Sequence, residues 1–139
     1  MADSLNKRLK TLLNRRDATV VPGAFNALAA KMVADEGFEA VYVSGAGVTN
    51  AYLGVPDLGL ISLSELADNV AAMRDVVDIP IVSDADTGFG NAVNVTRTVR
   101  VLERAGANGI QLEDQVFPKK CGHFAGKAVI PADEATQKI

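Results

Sequence analysis

Asp84 and Asp86 stand two residues apart just after the apolar run Pro80-Ile81-Val82-Ser83, and Glu113-Asp114 follow a second such run, Gly109-Ile110-Gln111-Leu112. If both runs are strands, Asp84 and Asp86 project from one face of an extended segment, with Glu113 at the end of a neighbouring strand. Carboxylates gathered in a cleft repel one another unless a cation lies among them. Hard oxygen donors with no imidazole or thiolate nearby favour Mg2+, or Mn2+, with several waters retained. The competing reading is that these acids cap the following helices or solvate loops. Lys119-Lys120-Cys121-Gly122-His123 is the sharpest local signal. A thiol beside two lysines and the only histidine sits in a positive field, which promotes the thiolate. The lysines and His123 could equally hold a substrate carboxylate, or the segment could be a basic surface loop. Cys121 and His123 alone do not make a metal site. Gly45, Gly47, Gly88 and Gly90 offer backbone N–H groups that loops at helix entries use to bind anions.

These groups need elements that bring them to one place. Leu5, Leu9, Leu12 and Leu13 fall on one face of an opening helix. Thr19-Val20-Val21 reads as a strand ending at Pro22-Gly23, and residues 25–36 as a helix with Leu28, Met32 and Val33 inward, stopped by Gly37. Ala40-Val41-Tyr42-Val43-Ser44 is a second strand, running into Gly45 and Gly47. A long loop through Gly54-Val55-Pro56-Asp57-Leu58-Gly59 follows. Ser62 and Glu65 have capping-box spacing at the head of a helix with the stripe Leu63, Leu66, Val70, Met73 and Val77. A third strand over 80–83, a helix over about 92–105 closed by Gly106, and a fourth strand over 109–112 come next. Pro131 and Asp133 mark the first turn of another helix.

Alternation of apolar strands with helices predicts an α/β protein with a parallel sheet covered by helices. No G-x-G-x-x-G follows the first strand, where the chain reads Val21-Pro22-Gly23-Ala24-Phe25, which weighs against an open dinucleotide-binding sheet. The remaining closure is a (β/α)8 TIM-type barrel, and four βα units fill about half of a barrel of roughly 250 residues. Because the chain stops partway into a helix, residues 1–139 are expected to be the N-terminal half of such a barrel, with the C-terminal half absent. In either closure reactive groups belong at the carboxyl ends of strands. Ser44, Asp84, Asp86, Glu113 and Asp114 concentrate there.

The 139 residues are 48% hydrophobic, enough for one domain core. Fourteen basic against 17 acidic residues give a net charge of -3, and nothing in that balance points to a nucleic-acid surface or a polybasic membrane patch. No apolar run of about 18 residues is present to span a bilayer. Met1 to Arg16 is basic and helical in pattern but lacks a signal-peptide core, and Asp3 weakens a transit-peptide reading. A single cysteine cannot form an internal disulfide, so a reducing, cytoplasmic setting is expected.

Ser44-Gly45-Ala46-Gly47, Pro56-Asp57-Leu58-Gly59, Asp84-Ala85-Asp86-Thr87-Gly88-Phe89-Gly90, Glu113-Asp114-Gln115 and Lys119-Lys120-Cys121-Gly122-His123 occur in this order and spacing. Together they resemble the isocitrate lyase/phosphoenolpyruvate mutase superfamily from about Lys10 onward, most closely its 2-methylisocitrate lyase branch. The Cys-Gly-His triplet favours the lyases over the phosphonate mutases. The resemblance implies a (β/α)8 barrel, a homo-oligomer (a tetramer), and Mg2+ near Asp84, Asp86 and Glu113, held partly through water. It also implies a small carboxylate substrate against Ser44, Gly45 and Ala46, with Tyr42 nearby and Asp57 on a bordering loop. Lys119 to His123, including Gly122, would form a gate, with Cys121 as general acid and Lys119 and His123 beside it. The reaction implied is retro-aldol cleavage, for example of 2-methylisocitrate to pyruvate and succinate. Alternatives are a dimethylmalate lyase, an oxaloacetate hydrolase or decarboxylase, or an inactive fragment that acts only in assembly. Two departures bear on substrate identity: Ala46 stands where the family has a second glycine, and Phe124-Ala125-Gly126-Lys127 replaces the methylisocitrate enzymes' Arg-Pro-Asn-Lys. The family's later arginine and glutamate fall beyond Ile139, so this chain alone is not expected to turn over.

Overall fold

A computed structural model describes residues 2–139, with side chains from Ser4 onward. Met1 and the Asp3 side chain, both part of the basic opening segment, lie outside the described residues. The element order is α1 (Ala2–Leu13), β1 (Gly23–Ala24), α2 (Ala27–Asp35), β2 (Val41–Val43), α3 (Gly45–Leu53), α4 (Leu63–Arg74), β3 (Ile81–Asp84), α5 (Ala92–Ala105), β4 (Gly109–Gln111) and α6 (Ala132–Lys138). The strands form one parallel sheet in the order β1-β2-β3-β4. A doubly wound sheet reverses its strand order; this one advances in a single direction. Right-handed crossovers of that kind place the connecting helices on the same face, as in the (β/α)8 architecture.

Register divides the sheet into two faces. Tyr42 lies opposite Val82, Val82 opposite Gly109, and Asp84 opposite Gln111, so these residues share one face. Val41, Val43, Ile81 and Ser83 point the other way, beneath the helices, and are fully buried. There they join Leu66, Val70 and Met73 of α4 and Leu102 of α5 in the core. At the strands' amino ends α1 folds under the first face: a Cβ on Gly109 would lie 3.0 Å from Leu9 Cδ2. Arg74 ties this end together by donating to the carbonyls of Val77 and Ile79 and to Asn108 Oδ1.

The helices begin and end where their caps dictate. Ser62 and Glu65 form the predicted reciprocal box at α4, and Asn91 and Asn94 form another at α5, which stops at left-handed Gly106. Three expectations need correction. Thr19-Val20-Val21 is not the first strand: the ladder starts with the Tyr42 N–H donating to Pro22 O, and Val20 and Val21 are exposed. The ladder partner, rather than β propensity, sets where pairing begins. The segment after Ser44 is not a continuous loop, because α3 forms there, capped by Ser44 Oγ and ended by Gly54 in the left-handed conformation. Leu28 and Met32 are not inward; they are 69% and 60% exposed, as is Leu13 at 75%. α2 packs on α4 and the sheet through Ala30, Val33 and Ala34, so its second apolar stripe is left facing outward.

Leu102, fully buried between α5 and the sheet, tests whether this half-barrel has a close-packed core of its own. Leu102→Ala should destabilise the chain by about 2–5 kcal/mol, read as a lower urea midpoint at unchanged slope. A loss under about 1 kcal/mol would mean the core is loosely packed.

Candidate active site

The carboxyl ends of β2, β3 and β4 carry the polar residues that the sequence singled out. β3 ends at Asp84, and the chain then turns: Asp86 has a left-handed backbone (φ 46°), and its N–H donates to Asp84 Oδ1 at 2.9 Å. Asp84 and Asp86 are therefore brought together by a turn, not by two-residue alternation along an extended strand as the sequence suggested. An aspartate tolerates this region better than most residues because its short side chain can bond locally. The second oxygen of Asp84 accepts the Gly45 N–H at 3.1 Å, linking the tip of β3 to the start of α3. A side chain at Gly45 would crowd this contact, since a Cβ would lie 3.0 Å from Asp84 Oδ2, which would have to give way.

Asp57 and Lys119 complete the cluster. The Lys119 ammonium, 3% exposed, lies 3.0 Å from Asp57 Oδ1 and also pairs with Asp86 Oδ1. Both of those oxygens are buried and lack any other partner. Burial pulls the lysine down, but contact with Asp86 and then Asp57 outweighs it and holds the ammonium well above its usual range. Burial raises Asp86 above the ordinary carboxyl range; Lys119 opposes the shift, while Asp84 and Asp57 add to it. Glu113 is raised for the same first reason, with Lys119 and its bond from Gln115 opposing and Asp84 and Asp86 reinforcing. Tyr42 faces the same group: burial, then Asp84 and Glu113, push its hydroxyl above the ordinary phenol range.

Asp86 and Glu113 thus feel the neighbouring acids, and the Lys119 ammonium pairs with Asp57 and Asp86. Among those residues no three His, Cys, Asp or Glu side chains stand close enough to grip an ion directly. The donor set nevertheless fits a hard divalent cation. It consists of carboxylate oxygens, two of them buried with only a lysine for company, and it carries more negative charge than that lysine neutralises.

Several predicted anion contacts are already spent inside the protein. The Gly45 N–H is on Asp84, the Gly47 N–H on Ser44 Oγ, and the Gly88 N–H on Ala85 O. Ser44 serves as the cap of α3, and Ala46 lies half-buried in that helix's first turn. The two lysines do not flank the thiol as pictured: Lys119 turns inward to the acids, and Lys120 is exposed. Cys121 is half-buried with Sγ 3.6 Å from His123 Nδ1, while Gly122 and His123 are exposed. A cavity of about 790 Å3 opens beside Asp86, lined among others by Thr87, Asn94, Arg97, Gln115 and Phe117. Sequence reasoning missed two things here. One is the pairing of Lys119 with Asp57 and Asp86, which links distant segments. The other is the Gln115 amide, which contacts both Glu113 and Lys120 and was signalled only by its place in Glu113-Asp114-Gln115.

Known proteins resemble this chain in sequence and fold. The family model described as phosphoenolpyruvate phosphomutase matches residues 9–139. A 2-methylisocitrate lyase of Aeropyrum pernix is 54% identical over 131 residues, which is 94% of this chain and 42% of that protein. Among solved structures, oxaloacetate acetylhydrolase with 3,3-difluorooxalacetate superposes with a TM-score of 0.89 at 38% identity, covering 97% of this chain and 46% of that one. Phosphonopyruvate hydrolase with oxalate and Mg2+ gives 0.85 at 34% identity, covering 96% and 45%. The chain spans a little under half the length of the relatives it matches. The acid-tipped parallel sheet and the match over nearly its whole length agree: this chain belongs to the phosphoenolpyruvate phosphomutase family, within the isocitrate lyase/phosphoenolpyruvate mutase superfamily.

Proposed function

We propose that residues 1–139 supply the first four βα units of a Mg2+-dependent carbon–carbon lyase that cleaves a 2-hydroxy di- or tricarboxylate, with 2-methylisocitrate the leading substrate. The observation that carries this reading is the buried Lys119 ammonium paired with Asp57 and Asp86, with Asp84 and Glu113 near enough to act on the same carboxylates and a thiol two residues further along the Lys119 loop. Asp84, Asp86 and Glu113 would hold the cation, and Mn2+ would substitute. When bound, it supplies Lewis-acid stabilisation of the oxygen that becomes the product's carbonyl.

The residues of this chain account for the remaining steps. Tyr42, on the same face of the sheet as Asp84, can donate its hydroxyl hydrogen to a substrate carboxylate or oxyanion. The strand-tip carboxylates accept the substrate's hydroxyl proton. Collapse of the alkoxide breaks the adjacent C–C bond and leaves the electron pair on the succinate half as an enediolate. That carbon takes a proton from Cys121 Sγ, with His123 beside the sulfur and Lys119 fixing the loop through Asp57 and Asp86. The likeness to oxaloacetate acetylhydrolase supports a second reading, hydrolysis of oxaloacetate on the same scaffold.

With Mg2+, a barrel containing this segment should convert 2-methylisocitrate to pyruvate and succinate, and Cys121→Ser should lower kcat by about 100-fold or more. Oxalate and acetate from oxaloacetate, with no pyruvate from 2-methylisocitrate, would favour the second reading. An unchanged rate in Cys121→Ser would remove the thiol from the chemistry. The raised carboxyls give a pH test on the isolated chain. The native state favours their protonated form, so their contribution to stability is full below the ordinary carboxyl range and lost as pH rises through the raised values. Glu113→Gln, which can still accept from Gln115, should therefore raise the urea midpoint at pH 7 without metal. The advantage should vanish below about pH 4. A less stable variant at pH 7 would contradict the charge balance described above.

A further inference from the structure

The loop that carries Cys121 is closed at its neck by a bridge between Gln115 and Val129. Val116 N–H donates to Ala128 O, and Ile130 N–H to Asp114 O, both at 2.9 Å. The Gln115 side chain is 8% exposed and does not face solvent. Its Nε2 donates to Glu113 Oε2 at 2.8 Å and to Lys120 O at 3.0 Å, while its Oε1 accepts the Lys120 N–H at 3.1 Å. One primary amide thus uses both donors and its acceptor, and no other side-chain type offers that set at this length. Glutamate lacks the donors, methionine lacks everything but the shape, and asparagine is one methylene short.

We propose that Gln115 is a positioning residue that couples the Glu113 carboxylate to the backbone of the Cys121 loop. The proposal rests on the reading of the acid cluster as a cation site. Lys120 lies between Lys119, fixed by charge on Asp57 and Asp86, and Cys121. Two consecutive residues before the thiol are therefore anchored to the acid cluster, one by an ion pair and one through Gln115. A carboxylate oxygen can accept from an amide and still face a cation, and such outer partners set the orientation in which it does so. Orienting Glu113 and gripping Lys120 are accordingly one act, and by linkage each state favours the other.

The test uses the 139-residue chain with Mn2+ as the probe. Gln115→Met keeps the shape and removes all three hydrogen bonds; Gln115→Asn keeps polarity in case the first variant melts without cooperativity. Gln115→Met should speed amide hydrogen exchange of residues 116–128 about tenfold or more. It should also weaken Mn2+ binding, followed by electron paramagnetic resonance, by about tenfold. Gln115→Asn should shift both quantities in the same direction by less. Faster exchange with unchanged Mn2+ affinity would reduce Gln115 to a strut of the loop and overturn the coupling, as would no change in either. Failure of the wild-type chain to bind Mn2+ at all would instead sink the cation-site reading, and the coupling with it.

Discussion

Acids on neighbouring strand tips and loops repel one another unless positive charge lies among them, and Lys119 supplies that charge to Asp57 and Asp86. Its ammonium is buried against Asp57 and Asp86, where desolvation opposes the charge and the two acids restore it. A buried pair of this kind is a poor source of net stability, because the cost of removing charges from water rivals their attraction. It does fix geometry: it ties the loop after β2–α3, the turn after β3 and the loop after β4 to a single point. Asp86 and Glu113 are raised first by burial, with Lys119 opposing and neighbouring acids adding to the shift. Buried carboxylate oxygens that outnumber the one ammonium paired with them are the kind of donor set that suits a hard divalent cation.

The fold serves this arrangement by separating two tasks between the faces of the sheet. Val41, Val43 and Ile81 bury against the helices and give the half-barrel its core. Tyr42, Val82, Asp84 and Gln111 occupy the other face, closed at the strands' amino ends by α1. Stability is thereby concentrated away from the strand tips, where the strained turn at Asp86 and the uncompensated acids are tolerated. No helix of the described residues is long and apolar enough to cross a membrane.

Where information was local, the sequence was easy to read. The Ser62-Glu65 box, the span of α5 to Gly106, and the buried stripe Leu66, Val70 and Met73 follow from caps and periodicity alone. The strand-end placement of Asp84 and Glu113 followed from the apolar runs before them. What was hidden depended on partners elsewhere in the chain. Val20 and Val21 have strand propensity, yet β2 pairs with Pro22 to Ala24. Two glycines disguised α3 as a loop, although Ser44 and Gly54 marked its ends. Leu28 and Met32 belonged to a helical stripe, but which stripe of α2 faces the sheet is decided by α4. Lys119 read as part of a basic field around the thiol because its acidic partners lie in other segments.

The most direct measurement is a Mn2+ titration of the metal-free chain followed by electron paramagnetic resonance, in wild type, Asp84→Asn and Asp114→Asn. A single site is expected in wild type and Asp114→Asn, weakened by about tenfold or more in Asp84→Asn. Wild-type and Asp84→Asn chains that bind alike, or no saturable site in any of them, would contradict a cation held at the tips of β3 and β4.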